Sequence, residues 1–277
     1  MTRQSKLIKI AAELGILSDF VAKSLNVETP QKESNFKTKF AALPPGPERE
    51  KLVFEEIVKS NPFANLKPVT IDGPHGTKIT YNVMPDYITI DGLRIPMAGK
   101  TAQKVADHFN MKLPTSIMSD QIWNAAKTKI RPPPLSSGAR IGDRYYSGEE
   151  VVSHKINTSD SALAYSQMIE NELENIGDPG LVAGHMKDII APEGSSNKLG
   201  LYGWQGKDGK PIQSSPQTPH DTSVHTEYGA GVRLVDNKVT VTLPSGEKIN
   251  TTMDKLLNHP SMYKAVSRTQ GEKRYGS

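Results

Sequence analysis

KPVTIDGPHGTKITYNVMPDYITIDGLRIPM, residues 67–97, is the stretch that decides the fold class. β-Branched and aromatic residues alternate with polar ones along it, and the turn sequences DGPHG (72–76) and DG (91–92) interrupt it twice. Because successive side chains on a strand point to opposite faces, this alternation is typical of half-buried strands. The turns connect such strands as hairpins. The stretch therefore predicts a small antiparallel meander.

Helical patterns lie on both sides of this meander. Proline in the first turn and a following Asn-Pro mark a short helix over about Glu48–Lys59. Residues 99–129 predict two helices separated by KLPT, the second capped by Thr115. DSALAYSQMIENELENIG (160–177) has the pattern of a capped amphipathic helix closed by glycine. A last helix is expected over about Thr252–His259.

Strand-rich pieces dominate residues 180–250, and they do not alternate regularly with helices. A parallel α/β fold needs that alternation, so the pattern favours the α+β class. We expect a small antiparallel meander with helices in the N-terminal half. In the C-terminal half we expect a mixed or antiparallel sheet with flanking helices.

A proline-rich break divides the chain. RPPPLSSGARIGD (131–143) cannot continue a helix and suits a domain boundary near residue 133. Three parts are expected: a helical N-terminal segment (1–60), a small α+β domain (61–133) and an α+β domain that carries the candidate site (134–277). In the first part, a narrow apolar stripe over residues 7–25 predicts a helix that packs on the domain or mediates self-association.

Composition limits the chemistry that is open to the protein. Hydrophobic residues make up 36% of the 277 residues and charged residues 23%, as in chains that fold around a core. The net charge of +4 is spread along the sequence, so it favours a polyanionic partner only weakly, and nucleic acid is not expected. The absence of cysteine excludes disulfides, thiolate-bound zinc, iron–sulfur clusters and a cysteine nucleophile.

The start of the sequence lacks the pattern of a signal peptide, and nowhere do about 18 apolar residues follow one another. We therefore expect a soluble cytoplasmic protein without a transmembrane segment. Export without a leader, as for a secreted effector, is the alternative.

The first of three polar clusters in the second half is GHMKDII (184–190). His185, Lys187 and Asp188 interrupt an otherwise apolar strand there. Charged side chains on a buried strand cost desolvation energy unless they are paired or used. Strand alternation places His185 and Lys187 on one face and Asp188 on the other, so the His–Asp pair meets only if the strand ends or bulges.

The second cluster, LYGWQGKDGKPIQ (201–213), is an aromatic strand that enters a turn. Tyr202 and Trp204 have the spacing of one strand face. They would either stack against a sugar ring or pack within the sheet, as aromatic residues on sheets commonly do.

The third cluster is PHDTSVHTEYGAGVRLV (219–235), a polar loop followed by an apolar run. Histidines five residues apart, His220 and His225, would form a zinc site if His185 supplied a third ligand and water the fourth. A histidine acting as general base beside a carboxylate is the other chemical use. Tyr228 lies in the same loop.

A third interpretation of this cluster assigns it no chemistry. Most loop histidines are solvated, and Arg233 would then only pair with Asp188 or Glu227. The sequence alone leaves the three interpretations open.

Residues 78–258 resemble a group of uncharacterised bacterial proteins. The resemblance rests on the ordered motifs LVAGHMKDII, LYGWQGKDGKPIQ and GVRLVD. In that group a histidine stands just before the glycine of the last motif, where this chain has Ala230. Some members occur beside cell-envelope or peptidoglycan-binding modules. The resemblance therefore implies an envelope setting, with the missing histidine either absent or replaced by His225.

A second likeness carries no activity. YGAGVRLV (228–235) is similar to the catalytic stretch of the L,D-transpeptidases, in which a nucleophilic cysteine precedes a comparable Val-Arg pair. This chain contains no cysteine, so that activity is excluded.

These patterns predict a hydrolase of a bacterial cell-envelope polymer, peptidoglycan or a related polysaccharide or peptide. His185, His220 or His225 would activate water, directly or through zinc, while Asp188 orients a histidine and Lys187 or Arg233 stabilises negative charge. Tyr202, Trp204 and Tyr228 would line the substrate groove. The alternative is a non-catalytic binding or structural module of a phage-like or secreted assembly.

Overall fold

The fold is taken from a computed structural model of the protein. It describes residues 35–130, 139–141, 144–146, 157–194, 196–206, 208–216, 218, 220–222 and 226–276. The chain divides into two compact units, residues 1–38 and 39–277, and the contacts reported below lie within the second unit. The predicted apolar helix over residues 7–25 lies outside the described residues.

The described part contains helices on both sides of short strands. The helices are α1 (Asn35–Ala42), α2 (Pro47–Ser60), α3 (Gly99–His108), α4 (Ser116–Ala125), α5 (Ser159–Leu173) and α6 (Met253–Asn258). The strands are β1 (Lys67–Asp72), β2 (Lys78–Val83), β3 (Thr89–Ile90), β4 (Leu93–Arg94), β5 (Met111–Lys112), β6 (Thr128–Lys129), β7 (Ala139–Ile141), β8 (Arg144–Tyr146), β9 (Val182–Ala183), β10 (Lys187–Ile190), β11 (Gly200–Gln205), β12 (Pro211–Gln213), β13 (Ala230–Gly231), β14 (Val235–Thr242) and β15 (Lys248–Thr252). The α+β class is therefore confirmed.

Side-chain caps fix the starts of three helices. Thr115 accepts the Met118 N–H at the start of α4, as the sequence predicts. Thr252 caps α6 in the same way. Thr158 caps α5, which ends at Leu173, before the glycine expected to close it, because the Ile176 N–H turns back to the Leu173 carbonyl.

A five-stranded antiparallel sheet grows from the predicted meander. Its order is β1-β2-β14-β15, with β5 also pairing to β14. Tyr81 on β2 lies opposite Val69 on one side and Val239 on the other, and all three side chains are buried. The sheet packs its apolar face against α4 and α6. It thus joins strands from both sides of the proline-rich break at residues 131–143.

A second, four-stranded sheet has the order β12-β11-β10-β13. The β10–β11 and β11–β12 pairs are antiparallel, whereas β10 and β13 are parallel, so this sheet is mixed. Its two central strands are almost entirely buried. Two of the three polar clusters fall on or next to these strands, and β13 belongs to the third.

Three two-stranded pairs complete the described structure. They are β3–β4, β6–β9 and β7–β8, of which β6–β9 is parallel. Within the described ranges, no helix combines the length and the apolar character needed to cross a bilayer.

Candidate functional site

A glycine bend places His185 ahead of strand β10 rather than on it. Gly184 has φ +97°, and a Cβ at this position would lie 2.3 Å from a ring carbon of Trp123 and 2.7 Å from the Ile130 carbonyl oxygen. Only glycine combines that backbone conformation with so close an approach. Strand β10 begins three residues later, at Lys187. The strand alternation expected across GHMKDII therefore stops short of His185.

Strand β11 contains a second departure from regular geometry. Gly203 has φ +102° and Trp204 has φ +60°, which is a strained conformation for a bulky residue. As a result, Tyr202 and Trp204 bond to different elements. The Tyr202 hydroxyl donates to Asp120 Oδ2 at 3.0 Å, on α4. The Trp204 Nε1–H donates to the Tyr165 hydroxyl at 3.0 Å, on α5.

Lys187, His220, Glu227, Trp204 and Tyr228 form what we call the surface cluster. Lys187 Nζ makes a short contact with Glu227 Oε2 and lies 4.7 Å from the centre of the Trp204 ring. The other carboxylate oxygen of Glu227 lies 4.0 Å from His220 Nε2. The exposed fractions of the side chains are 15% for Lys187, 25% for His220 and 9% for Glu227, so Lys187 and His220 are partly exposed and Glu227 is nearly enclosed.

Three aromatic rings form one wall of the surface cluster. Tyr165, Trp204 and Tyr228 meet edge to face, with ring centres 5.3–6.5 Å apart, the arrangement that aromatic pairs prefer. The Tyr165 hydroxyl also donates to the His185 carbonyl oxygen at 2.8 Å. The indole of Trp204 is thus tied through Tyr165 to the bend that precedes β10.

A second group of polar side chains lies in the interior next to the surface cluster. We call Asp86, Tyr87, Arg94, His185, Asp188 and Arg233 the buried network. His185 is fully buried, and its Nε2 lies 2.8 Å from Asp86 Oδ1. Arg94 binds the other Asp86 oxygen and Glu170, each at 2.5 Å.

Charge in this network is held on Asp86 and Arg94. Burial alone would raise the pKa of Asp86, but the charges and hydrogen bonds of His185 and Arg94 hold that pKa well below its ordinary value. Burial lowers the pKa of His185, against the pull of Asp86. Nε2 of the imidazole bonds to Asp86, and Nδ1 has no hydrogen-bond partner among the described residues.

Asp188, Tyr87 and Arg233 form the inner part of the network. Burial raises the pKa of Asp188, while the Arg233 charge and the hydroxyls of Ser119 and Tyr87 act in the opposite direction. The guanidinium of Arg233 lies 4.4 Å from the centre of the Tyr87 ring and donates to the Val182 carbonyl oxygen at 2.6 Å. These groups fix β10 from its enclosed side.

The structure places most of the predicted site residues in two groups. Lys187, His220, Trp204 and Tyr228 lie in the surface cluster. His185, Asp188 and Arg233 lie in the buried network, and Tyr202 bonds to Asp120. His225 lies outside the described residues.

The predicted zinc site draws no support from the residues that the structure describes. Within those ranges, no group of three or more His, Cys, Asp or Glu side chains is placed to hold a metal ion. His185 already binds Asp86 through Nε2, and His220 lies beside Glu227. Zinc therefore stays a prediction that depends on His225.

The sequence analysis did not predict several residues that belong to these two groups or hold them in place. Asp86 and Arg94 stand in the predicted meander, where a charged residue on a strand usually faces solvent, yet Arg94 is 1% exposed. Arg49, on α2, donates to Thr226 Oγ1 at 2.7 Å and so anchors the residue next to Glu227. The partners are 177 positions apart, and no local pattern reports such a contact.

Comparison with known proteins gives no independent identification. No protein-family model, no curated protein and no solved structure matches the chain.

Proposed function

We propose that the protein is a hydrolase of a bacterial cell-envelope polymer, peptidoglycan or a related polysaccharide or peptide, and that the surface cluster is its catalytic site. One observation carries the proposal. A cation, a carboxylate and an imidazole, Lys187, Glu227 and His220, converge beside an aromatic wall, and two of them, Lys187 and His220, are partly exposed.

The roles follow from the chemistry of the three groups. His220 is the general base: it takes a proton from a water molecule whose oxygen attacks the electrophilic carbon of the substrate. The leaving group departs with a proton returned from His220. Glu227 orients the imidazole and stabilises its charged form, and Lys187 stabilises the negative charge that develops on the substrate. The 4.0 Å between His220 and Glu227 is long for a hydrogen bond, and such distances shorten when substrate binds.

The net charge of +4 favours an anionic polymer only weakly, because it is spread along the sequence. Trp204 and Tyr228 are 6% and 9% exposed, so they support the three polar groups from behind. The buried network contributes rigidity, since it fixes both the bend before Lys187 and the strand that carries it.

The test is digestion of purified bacterial cell walls. His220→Gln and Glu227→Gln should each slow the release of soluble fragments about 100-fold, the low end of what a general base and its partner contribute. His75→Gln is the matched control, because His75 is exposed in a turn of the other sheet. The proposal fails if His220→Gln digests walls at the parent rate, or if the parent digests none with or without added zinc.

A non-catalytic binding module is the second candidate, and one observation favours it. His185, the histidine next to the strand, is enclosed and bound to Asp86, so it is not free to act on a ligand. In that case the parent should sediment with cell walls, and His220→Gln should leave this sedimentation unchanged. Fragment release by the parent would decide for the enzyme.

A further inference from the structure

Arg49, on α2, is a buried cation that has no role in the mechanism proposed above. It is 1% exposed, and its guanidinium lies 5.0 Å from the centre of the Phe40 ring. Nη1 donates to Ser159 Oγ at 3.2 Å, and Nη2 donates to Thr226 Oγ1 at 2.7 Å. Arg49 therefore links α1 and the start of α5 to the segment that carries Glu227.

The burial of this guanidinium is costly. Removal from water lowers the pKa of Arg49, and the charge of Glu50 offsets only part of that effect. Its hydrogen bonds to Ser159 and Thr226 go to hydroxyl groups, which carry no charge to compensate it. A hydrogen bond from a charged donor is stronger than one between neutral groups, and the shorter of the two bonds goes to Thr226. The residue before Glu227 is thus firmly anchored.

The segment that contains His220 and Glu227 is held at both ends by backbone hydrogen bonds. The Leu199 N–H donates to the His220 carbonyl oxygen at 3.1 Å, next to the start of β11. The Lys187 N–H donates at 2.8 Å to the carbonyl oxygen two residues after Glu227. Arg49 adds a side-chain anchor directly before Glu227, and a substitution can remove that anchor without altering either backbone bond.

We propose that Arg49 is a positioning residue, which holds the Glu227 carboxylate beside the imidazole of His220 through the hydroxyl of Thr226. Arg49 itself touches neither the substrate nor the reacting atoms. The inference rests on the proposed hydrolase, because the acid–base roles of Glu227 and His220 come from it. The position of Glu227 can also be measured without turnover.

The decisive variants are Thr226→Val, which removes the acceptor of the Arg49 hydrogen bond and keeps the shape, and Thr226→Ser, which keeps the hydroxyl. In digestion of purified cell walls at several concentrations, Thr226→Val should lower kcat about tenfold and leave the apparent KM within about twofold, since a misplacement of about 1 Å can cost about 100-fold. Thr226→Ser should digest walls like the parent, and Arg49→Met should match Thr226→Val.

Ser159→Ala is the matched control. It removes the other hydrogen bond of the same guanidinium and leaves the bond to Thr226 in place. Ser159→Ala should therefore lower the melting temperature but leave kcat unchanged.

A double-mutant cycle separates positioning from folding. If Arg49 acts through Glu227, Arg49→Met should lower kcat about tenfold in the parent but less than about twofold in Glu227→Gln, where the carboxylate is already missing. A role in folding alone would lower kcat by the same factor in both backgrounds.

Proton NMR of the His220 imidazole reports on the position of Glu227 without turnover. The signals are assigned by their loss in His220→Gln. A nearby carboxylate favours the protonated ring, so Glu227→Gln should move the midpoint of their pH titration to lower pH. Thr226→Val should move this midpoint in the same direction, and Thr226→Ser should leave it unchanged.

The inference is overturned if Thr226→Val keeps both the parental kcat and the parental midpoint of the His220 titration, or if the effects in the cycle are additive. A parent that digests no walls would refute the hydrolase instead. In that case the titration midpoint alone decides whether Arg49 positions Glu227.

Discussion

Replacing Arg94 tests whether the buried network stabilises the fold. Arg94 is 1% exposed and binds Asp86 and Glu170, each at 2.5 Å. Arg94→Met keeps much of the side-chain volume but removes the guanidinium from Asp86, which then keeps its contact with His185. Breaking a buried ion pair by removing one member costs about 3–5 kcal/mol. Since Asp86 and Glu170 are only partly buried, we expect about 3 kcal/mol.

The matched control is an ion pair of the same length on the surface. Lys78 Nζ and Asp72 Oδ1 are also 2.5 Å apart, but their side chains are 57% and 85% exposed. Solvent screens such a pair, so Lys78→Met should cost less than about 1 kcal/mol. The two variants therefore differ chiefly in burial.

Urea unfolding followed by circular dichroism measures both variants. In thermal melts, about 3 kcal/mol corresponds to a drop of about 6–12 °C for a unit of this size, against less than about 4 °C for Lys78→Met. Equal losses in the two variants, or a loss below about 1 kcal/mol for Arg94→Met, would refute the role assigned to the network.

Three further predictions address the bend, the histidine and the aromatic wall. Gly184→Ala should cost about 2 kcal/mol or more in urea unfolding, since it adds a Cβ against Trp123 at a positive φ; a neutral outcome would mean that the bend is not required. Burial lowers the pKa of His185, so its contribution to stability is present above the ordinary histidine pKa of about 6.5 and is lost as pH falls below it. His185→Gln should therefore flatten the fall in melting temperature between pH 7.5 and 5.5, and an unchanged slope would contradict this assignment. Tyr165→Phe leaves the Trp204 Nε1–H and the His185 carbonyl without their hydroxyl partner, so it should cost about 2 kcal/mol and shift the tryptophan emission; an unchanged emission spectrum would count against the link.

The elements that the sequence predicted well are those determined by residues close together in the chain. The β1–β2 hairpin follows from alternation and the DGPHG turn, and α4 follows from the capping position of Thr115. These signals lie within a few residues of the structure that they determine. The α+β class could be deduced from them because it depends on the order of elements and not on their packing.

The pairing of strands distant in sequence could not be deduced in the same way. Strand β14 lies between β2 and β15 although about 150 residues separate it from β2, and no turn connects the two. The expectation for the C-terminal half was a mixed or antiparallel sheet, and the choice between them, the parallel pairing of β10 with β13, follows from tertiary packing.

The candidate site likewise contains residues that local sequence signals predicted and residues that only tertiary contacts reveal. His220, Lys187 and Trp204 were selected because polar and aromatic residues near an apolar strand stand out locally. The separation of His185 from Lys187 could not be foreseen, because it depends on the conformation of Gly184. The role of Asp86 could not be predicted either, because its contact with His185 joins the loop after β2 to the bend before β10.

The parallel pairing of β13 with β10 determines which residues of this site can be substituted without affecting the sheet. After β12, on one edge of the sheet, the chain must return to the opposite edge before it forms β13, and His220 and Glu227 belong to that return segment. Lys187, in contrast, is fixed by hydrogen bonding between strands, in register with Ala230. Substitutions in the return segment can therefore exchange the two residues proposed as acid–base groups without replacing a residue of the sheet. Under the proposed function, homologues with the same scaffold are expected to differ most in activity and substrate preference, and least in stability.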